Sequence, residues 1–311
     1  MVLYGRKIVD PLPTLGGKSQ IIDRICRIIE FAHEEFGIVG ISDLFAGGNR
    51  LLLHLDIVKE LEFKIANEID LGVVNFFRCL QNAYTIDELI NHIVILADEY
   101  NDEDLFNMAN DERRDKNTDF IRSGALTYIV AKYSRAADRQ TFCKEKADRG
   151  IPIKSLEKFY FLDEVYSEVQ LICGNYKVPF NMYKDRSDVL VYLDPPYITT
   201  DEKGEGKKTR RRKKMKEPEE PKETKETTGY IDKFTVADHE KLVDMVLTTK
   251  NKVIISGYKN AIYERLEANG FHRYFMGEVH VPSSSKGKKE KEYIWCNFEV
   301  PAYLVEEEFV E

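Results

Sequence analysis

IVGISDLFAGGNRLLLHLDIVKELEFKIANE, residues 38–68, is the stretch on which the fold turns. Residues 38–45 are an apolar run that stops at Ala46-Gly47-Gly48. A short apolar run closed by glycines reads as a buried strand entering a tight turn. Residues 51–58 have helical character, and residues 63–66 form a second short strand ending at Asn67-Glu68. Strand, glycine turn, helix, strand, acid is the opening of a parallel α/β sheet. A glycine turn at that place lets a ligand approach the backbone, and an acid closing the second strand typically binds ribose hydroxyls. Glu68 lies 20 residues after Gly48. Gly47-Gly48-Asn49 does not continue as G-x-G-x-x-G, so a nucleoside carrier without a pyrophosphate fits better than a dinucleotide. A plain strand-to-helix turn beside a solvated Glu satisfies the spacing equally well.

Outward from this stretch the pattern changes. Residues 72–161 carry amphipathic helical periodicity, as in 87–98 and 123–137, with almost no strand signal. The sheet resumes at 169–173 and 189–193, followed by a helix over 238–248 and a strand over 252–256. A helix over 262–269 closed by Gly270 comes next, then late strands over 271–281 and 292–300, with a basic loop at 283–291 between them. The expected organisation is a catalytic body from residues 1–71 and 162–311, interrupted by a helical insertion at 72–161. Residues 201–229 are low-complexity Lys, Arg, Glu and Thr and cannot build a core, so they read as a charged loop. Near the start, Gly16-Gly17-Lys18 precedes a helix over 19–31; amides at a helix entry beside a Lys suit a carboxylate, and equally an ordinary helix start.

Composition narrows the function classes. A chain of 311 residues with 43% hydrophobic residues can bury a sizeable core, yet no run reaches the ~18 apolar residues of a membrane span. The first ten residues lack the pattern of a secretory signal. Five scattered cysteines without a C-x-x-C pair point to reduced thiols in a cytoplasmic protein and to no zinc site. The six histidines suggest no metal and no nucleophilic triad; His239 reads as part of a helix start. A net charge of −8 argues against indiscriminate coating of DNA. That charge is uneven, because residues 203–216 hold nine Lys/Arg and one Glu. Lys207 and Arg211 in this run could track phosphates, or pair with the acidic residues at 217–226.

Asp194-Pro195-Pro196-Tyr197 follows the strand VLVYL, at the edge where open parallel sheets bind ligands. Two prolines fix φ and remove two N–H donors, so the turn is rigid and presents acceptors. Such a site suits an amino group that is a poor nucleophile. Adenine N6 is one, its lone pair being delocalised into the ring. The Asp194 carboxylate and the Pro195 carbonyl can hold its two hydrogens and aim the lone pair at a sulfonium methyl. Tyr197 offers a π-face to a base taken out of the stack.

With these motifs in order, the sequence resembles the DNA adenine N6-methyltransferase family of the D12 class, which places its cofactor motifs first. The resemblance spans most of the chain. It implies a Rossmann-like, S-adenosylmethionine-dependent methyltransferase sheet with an inserted helical DNA-recognition lobe at 72–161. Gly17 and Lys18 look like the family's N-terminal cofactor motif, and Asp43, Phe45, Gly47 and Gly48 like its glycine-rich cofactor turn. Glu68 matches its ribose acid, and residues 194–197 match its catalytic turn, Asp194 also facing the cofactor. Where the family has an Asp and an aromatic beside the cofactor's adenine, this chain has Asn175-Tyr176. The resemblance further implies double-stranded DNA as partner, a bacterial or phage origin, and compatibility with a restriction endonuclease partner. The alternatives are an RNA adenine or other amino-group methyltransferase, and an inactive DNA-binding relative.

Arginine reads guanine and phosphate best, and Arg113, Arg114, Arg122, Arg135 and Arg139 all lie in the helical insertion. Arg122, Arg135 and Arg139 are the expected DNA contacts, the last two sharing a face if that segment is helical.

Overall fold

The computed structural model describes residues 2–3, 6–7, 10–14, 21–197, 234–280 and 289–305. Gly17, Lys18, Lys207, Arg211 and the whole 201–229 segment lie outside the described residues. In chain order the strands and α-helices are β1 (Val2–Leu3), β2 (Arg6–Lys7), α1 (Ile22–Phe36), β3 (Gly40–Asp43), α2 (Arg50–His54), β4 (Phe63–Glu68) and α3 (Leu71–Cys79). There follow α4 (Ala83–Ala97), α5 (Glu103–Glu112), α6 (Phe120–Tyr133), α7 (Lys144–Asp148), α8 (Asp163–Tyr166), β5 (Val169–Cys173), α9 (Lys177–Tyr183) and β6 (Val189–Leu193). After residues 194–197 come α10 (Val236–Val246), β7 (Lys252–Tyr258), α11 (Glu264–Glu267), β8 (His272–His280), β9 (Lys289–Cys296) and α12 (Ala302–Val305).

Seven strands form one sheet in the order β5-β4-β3-β6-β7-β9-β8. Neighbours from β5 through β7 are parallel; β9 runs antiparallel to both β7 and β8. The fold is the expected α/β, Rossmann-like methyltransferase sheet. Its parallel centre follows from sequence: β3 and β6 are buried at every position, and a strand covered on both faces needs a continuous apolar run. Alternate residues serve opposite cores. Leu190, Tyr192 and Ile254 join the cluster shared with α1 and α3, whereas Val191, Leu193, Val253 and Ile255 join Leu242, Val243 and Leu266 of α10 and α11. The chain moves from β3 outward to β4 and β5, then returns to lay β6 on the other flank of β3. Strand order reverses there, and the crevice beyond the carboxyl ends of β3 and β6 is the place such a sheet leaves for a ligand.

Between β4 and β5 the chain is helical. The nearly all-buried α6 is its axis, and aromatic packing fills it: Phe76 stacks on Tyr128 with centroids 5.9 Å apart, and Phe159 meets both edge-on at 5.6 and 5.2 Å. The same buried cluster continues through Phe77 and Tyr166 to the face of the sheet. One expectation is corrected here. The helix over 123–137 ends at Tyr133, because Ser134 turns extended (ψ 155°) and its hydroxyl accepts the Arg139 N–H at 3.1 Å. Arg135 enters a 3-10 turn and Arg139 has φ 57°, so these two arginines do not share a helix face.

A buried ion pair fastens the helical segment to the sheet. Asp70 caps α3 by accepting from the Gly72 N–H at 3.0 Å, and Arg113 Nη1 meets its two oxygens at 2.6 and 2.9 Å. Burial pushes the Asp70 carboxyl up, but Arg113 and Arg139 outweigh it and the net shift is downward. Arg113→Leu should therefore cost about 3 kcal/mol in urea unfolding, since it removes the closest partner of a buried carboxylate and leaves Arg139, 3.9 Å away, to face it. The native advantage belongs to the ionised form. It should be full above the ordinary aspartate range and shrink as pH falls through the lowered value.

Candidate active site

The carboxyl ends of β3, β4, β5 and β6 meet at one edge. Asn67, buried at the end of β4, stitches three of them: its Nδ2 donates to the Leu44 carbonyl at 3.1 Å and the Gly174 carbonyl at 3.2 Å. The glycine turn then folds over the edge. Gly47 takes φ 50°, a conformation that favours glycine, and donates its N–H to Glu68 Oε2 at 2.9 Å. Gly48 runs under the N-terminal segment, where an added Cβ would stand 2.8 Å from Thr14 Oγ1. The other Glu68 oxygen accepts from the Ile69 and Asp70 N–H groups at 2.8 and 3.1 Å. Burial nevertheless raises the Glu68 carboxyl pKa, against the pull of the Asp70 N–H and of Arg139.

Asp43 closes β3 and is 2% exposed. Burial, then the neighbouring Asp194 charge, pushes its carboxyl up to about 8, opposed by the Phe45 N–H. Beside it stands an aromatic wall. The Phe45 ring lies 5.0 Å from Tyr176 and 5.4 Å from Phe234, and Tyr176 meets Phe234 at 5.8 Å. The Tyr176 hydroxyl is buried with no hydrogen-bond partner among the described residues. Asn175 is exposed, and its Oδ1 accepts the Lys177 N–H at 3.0 Å, so this carbonyl caps the start of α9.

Across the crevice, residues 194–197 leave the end of β6. The Tyr197 hydroxyl lies 3.0 Å from Asp194 Oδ1 and also bonds Glu292 of β9, while its ring meets Tyr258 edge-on at 4.4 Å. His239 Nε2 is 3.0 Å from the Pro196 carbonyl, and His239 Nδ1 is 3.0 Å from the Tyr263 hydroxyl. From sequence, residues 238–242, 255–258 and the approach to Tyr293 resemble the family, but no role falls to Glu292, Tyr258 or Tyr263, and His239 reads as part of a helix start. In the structure Glu292 is fully buried, as are Ile294, Trp295 and Cys296 further along β9, so the acid lies on an inward face of that strand.

Asp43, Phe45, Gly47, Glu68, Asn175, Tyr176 and residues 194–197 thus lie along one edge of the sheet, at the carboxyl ends of β3, β4, β5 and β6. The candidate DNA residues are dispersed. Arg122 is engaged within the helical segment by Glu112 and by the Tyr100 hydroxyl at 2.9 Å. Arg139 points toward the sheet edge, its Nε 3.9 Å from Asp70 Oδ2. Arg135 is exposed.

The family model of the D12 class N6 adenine-specific DNA methyltransferases matches residues 15–268. The chain belongs to that family. As a D12-class member it falls among enzymes of DNA adenine methylation, and family and fold together imply use of S-adenosylmethionine. A search of curated proteins gave no match. Among solved structures, a Pyrococcus horikoshii protein described as an RNA methyltransferase aligns at 11% identity and a TM-score of 0.34, covering 87% of this chain and 80% of its own.

The residues of this D12-class chain fit the cofactor. Its sulfonium and ammonium groups are cationic, and the crevice gathers Asp43, Glu68 and Asp194 with no side chain on the glycine turn to obstruct it. The Phe45–Tyr176 wall and the orphaned Tyr176 hydroxyl suit a flat ring with polar edges. Among the described residues no cluster of His, Cys, Asp and Glu could hold a metal ion, and no helix is long and apolar enough to cross a membrane.

The Asp43 carboxyl supplies a test of the cofactor reading. With its pKa raised to about 8, the free protein holds a proton there at neutral pH, and stability falls as pH climbs from the ordinary aspartate range toward that value. A cation beside Asp43 favours the carboxylate, so binding S-adenosylmethionine should release a proton. Affinity should rise from about pH 6 to about pH 8 and then level off. Calorimetry in buffers of different ionisation enthalpy measures the release, and Asp43→Asn should abolish it together with the pH dependence.

Proposed function

We propose that the protein transfers the methyl group of S-adenosylmethionine to N6 of an adenine turned out of double-stranded DNA. The observation that carries this reading is the two-proline acceptor turn, residues 194–197, which leaves β6 at the strand-order reversal, beside the strand β3 that leads into the glycine turn. When bound, S-adenosylmethionine supplies an electrophilic methyl on a cationic sulfur. Gly47 and Gly48 give it room, Glu68 takes the ribose hydroxyls, and Phe45, Asn175 and Tyr176 border its base.

The Asp194 carboxylate and the Pro195 carbonyl accept the two N6 hydrogens. Holding both draws the nitrogen toward a pyramidal shape and frees its lone pair, work that is positioning rather than acid–base chemistry. As N6 gains the methyl group and the bond from that methyl to sulfur breaks, the nitrogen becomes positive; the Asp194 charge stabilises that change until one N6 proton leaves to solvent. Tyr197, held by Glu292 and Tyr258, presents its ring to the adenine. The helical segment at 72–161 is the proposed DNA-recognition lobe. There Arg135 is the exposed candidate for a DNA contact, Arg122 and Arg139 serve through the acids they engage, and Lys207 and Arg211 follow the catalytic turn in sequence.

The test is transfer of radiolabelled methyl to unmethylated DNA, with RNA in parallel. Label is expected as N6-methyladenine in DNA, and Asp194→Ala should lower the rate by about a hundredfold or more. Label confined to RNA would replace the substrate. Cofactor binding without transfer to either would make the chain a relative that keeps the fold and has lost the chemistry.

A further inference from the structure

A turn made of two prolines has an anchoring problem. Pro195 and Pro196 donate no N–H, so the turn has two fewer backbone donors with which to hold its own carbonyls. A side-chain donor comes from elsewhere in the fold: His239 lies 43 residues away, with Nε2 3.0 Å from the Pro196 carbonyl. His239 lies in the first turn of α10, 1% exposed, with Phe234 edge-on at 4.7 Å and Tyr263 at 5.7 Å.

The two hydrogen bonds dictate one chemical form of the ring. A carbonyl oxygen only accepts, so Nε2 carries the proton. In a neutral imidazole Nδ1 is then a lone pair, and the Tyr263 hydroxyl must donate to it across 3.0 Å. Burial keeps the ring neutral by lowering its pKa to about 4, against the opposing effect of the Pro196 carbonyl. Tyr263 is itself wedged against Trp295 at 5.0 Å, so the chain Trp295–Tyr263–His239–Pro196 ties the turn to the core between α10 and the sheet.

We propose that His239, in the Nε2–H form set by Tyr263, is a positioning residue that fixes the Pro196 carbonyl and so aims the acceptors of the catalytic turn. This rests on the adenine N6 reading of that turn. The Pro196 carbonyl begins the peptide that leads into Tyr197. Held by His239, it is withdrawn as a competing acceptor for the substrate amino group, and the peptide plane that sets the Tyr197 ring is fixed. Loss of the bond leaves cofactor binding intact and misplaces the acceptors, which is a defect in turnover.

Three variants and one spectrum test this in the full-length protein. His239→Phe keeps the aromatic volume and removes both hydrogen bonds. Tyr263→Phe removes only the donor that sets the ring form. His239→Gln offers an amide N–H to Pro196 and an amide oxygen to Tyr263. The expected result is a fall in kcat of about ten- to a hundredfold in His239→Phe, a smaller fall in Tyr263→Phe, and recovery to within about threefold of wild type in His239→Gln. The Kd for S-adenosylmethionine should stay within about twofold in all three. Nitrogen NMR of ¹⁵N-histidine-labelled wild type, without substrate, should show His239 neutral and protonated on Nε2 at pH 5 to 8, an assignment that stands even where His239→Phe does not fold. The opposite ring form, a His239→Phe protein with wild-type kcat, or a Gln variant as impaired as Phe would each overturn the proposal. Wild type that transfers no methyl to DNA would instead overturn the functional reading.

Discussion

The pairing of β3 with β6 is the constraint from which the chemistry hangs. Its register sets Asp43 opposite Tyr192, two residues before Asp194. Asp194 therefore follows two residues beyond Asp43 on the same face of the neighbouring strand, close enough for its charge to raise the Asp43 pKa. A slip of one residue would exchange the faces of every side chain on the strand, sending Ile41 and Tyr192 away from the core they fill. The register is guarded by that burial on both faces, and by the Tyr192 hydroxyl, 2.9 Å from Ser256 of the next strand. Hydrophobic packing, with no chemistry of its own, thus fixes the spacing of the reactive groups.

The parts of the site that are legible in sequence are those built from consecutive residues. The glycine turn declares itself because φ 50° at Gly47 favours glycine, and glycine leaves space beneath Thr14 at Gly48. Residues 194–197 declare themselves because two prolines and an aromatic after an apolar strand have few other uses. The supports of these motifs are illegible for the opposite reason. His239 is 43 residues from Pro196, Glu292 is 95 from Tyr197, and Asn67 is 107 from Gly174. No periodicity reports a hydrogen bond across such distances; only the closed sheet brings the partners together.

The same division explains the misread helix. Local propensity carries a helix through 137, since residues 123–137 contain no proline and a serine alone does not stop a helix. The break comes from Ser134, whose side chain bonds Arg139 and whose backbone pairs with Phe142 in an isolated bridge. Its Oγ offers the backbone a partner outside the helix, which is how serine ends helices. The consequence is functional as well as local. Turned out of the helix, Arg139 reaches the acids at the end of β4, where its charge acts on both Glu68 and Asp70.

An acidic crevice is an odd place to bring a nucleic acid, and the oddness is informative. Asp43, Glu68, Asp194 and Glu292 offer phosphate no positive partner, and those that are ionised repel it, so the backbone of a DNA duplex has no reason to enter. A purine base is neutral, and its exocyclic amino group seeks acceptors. The charge that excludes the backbone therefore attracts the one part of the polymer that the proposed chemistry needs, provided the base leaves the stack to reach it. The same acids favour a cationic methyl donor over its neutral-sulfur product, because transfer removes the positive charge they were holding. One electrostatic arrangement thereby selects the base edge, retains the charged donor and weakens the hold on what is left after the methyl group has gone.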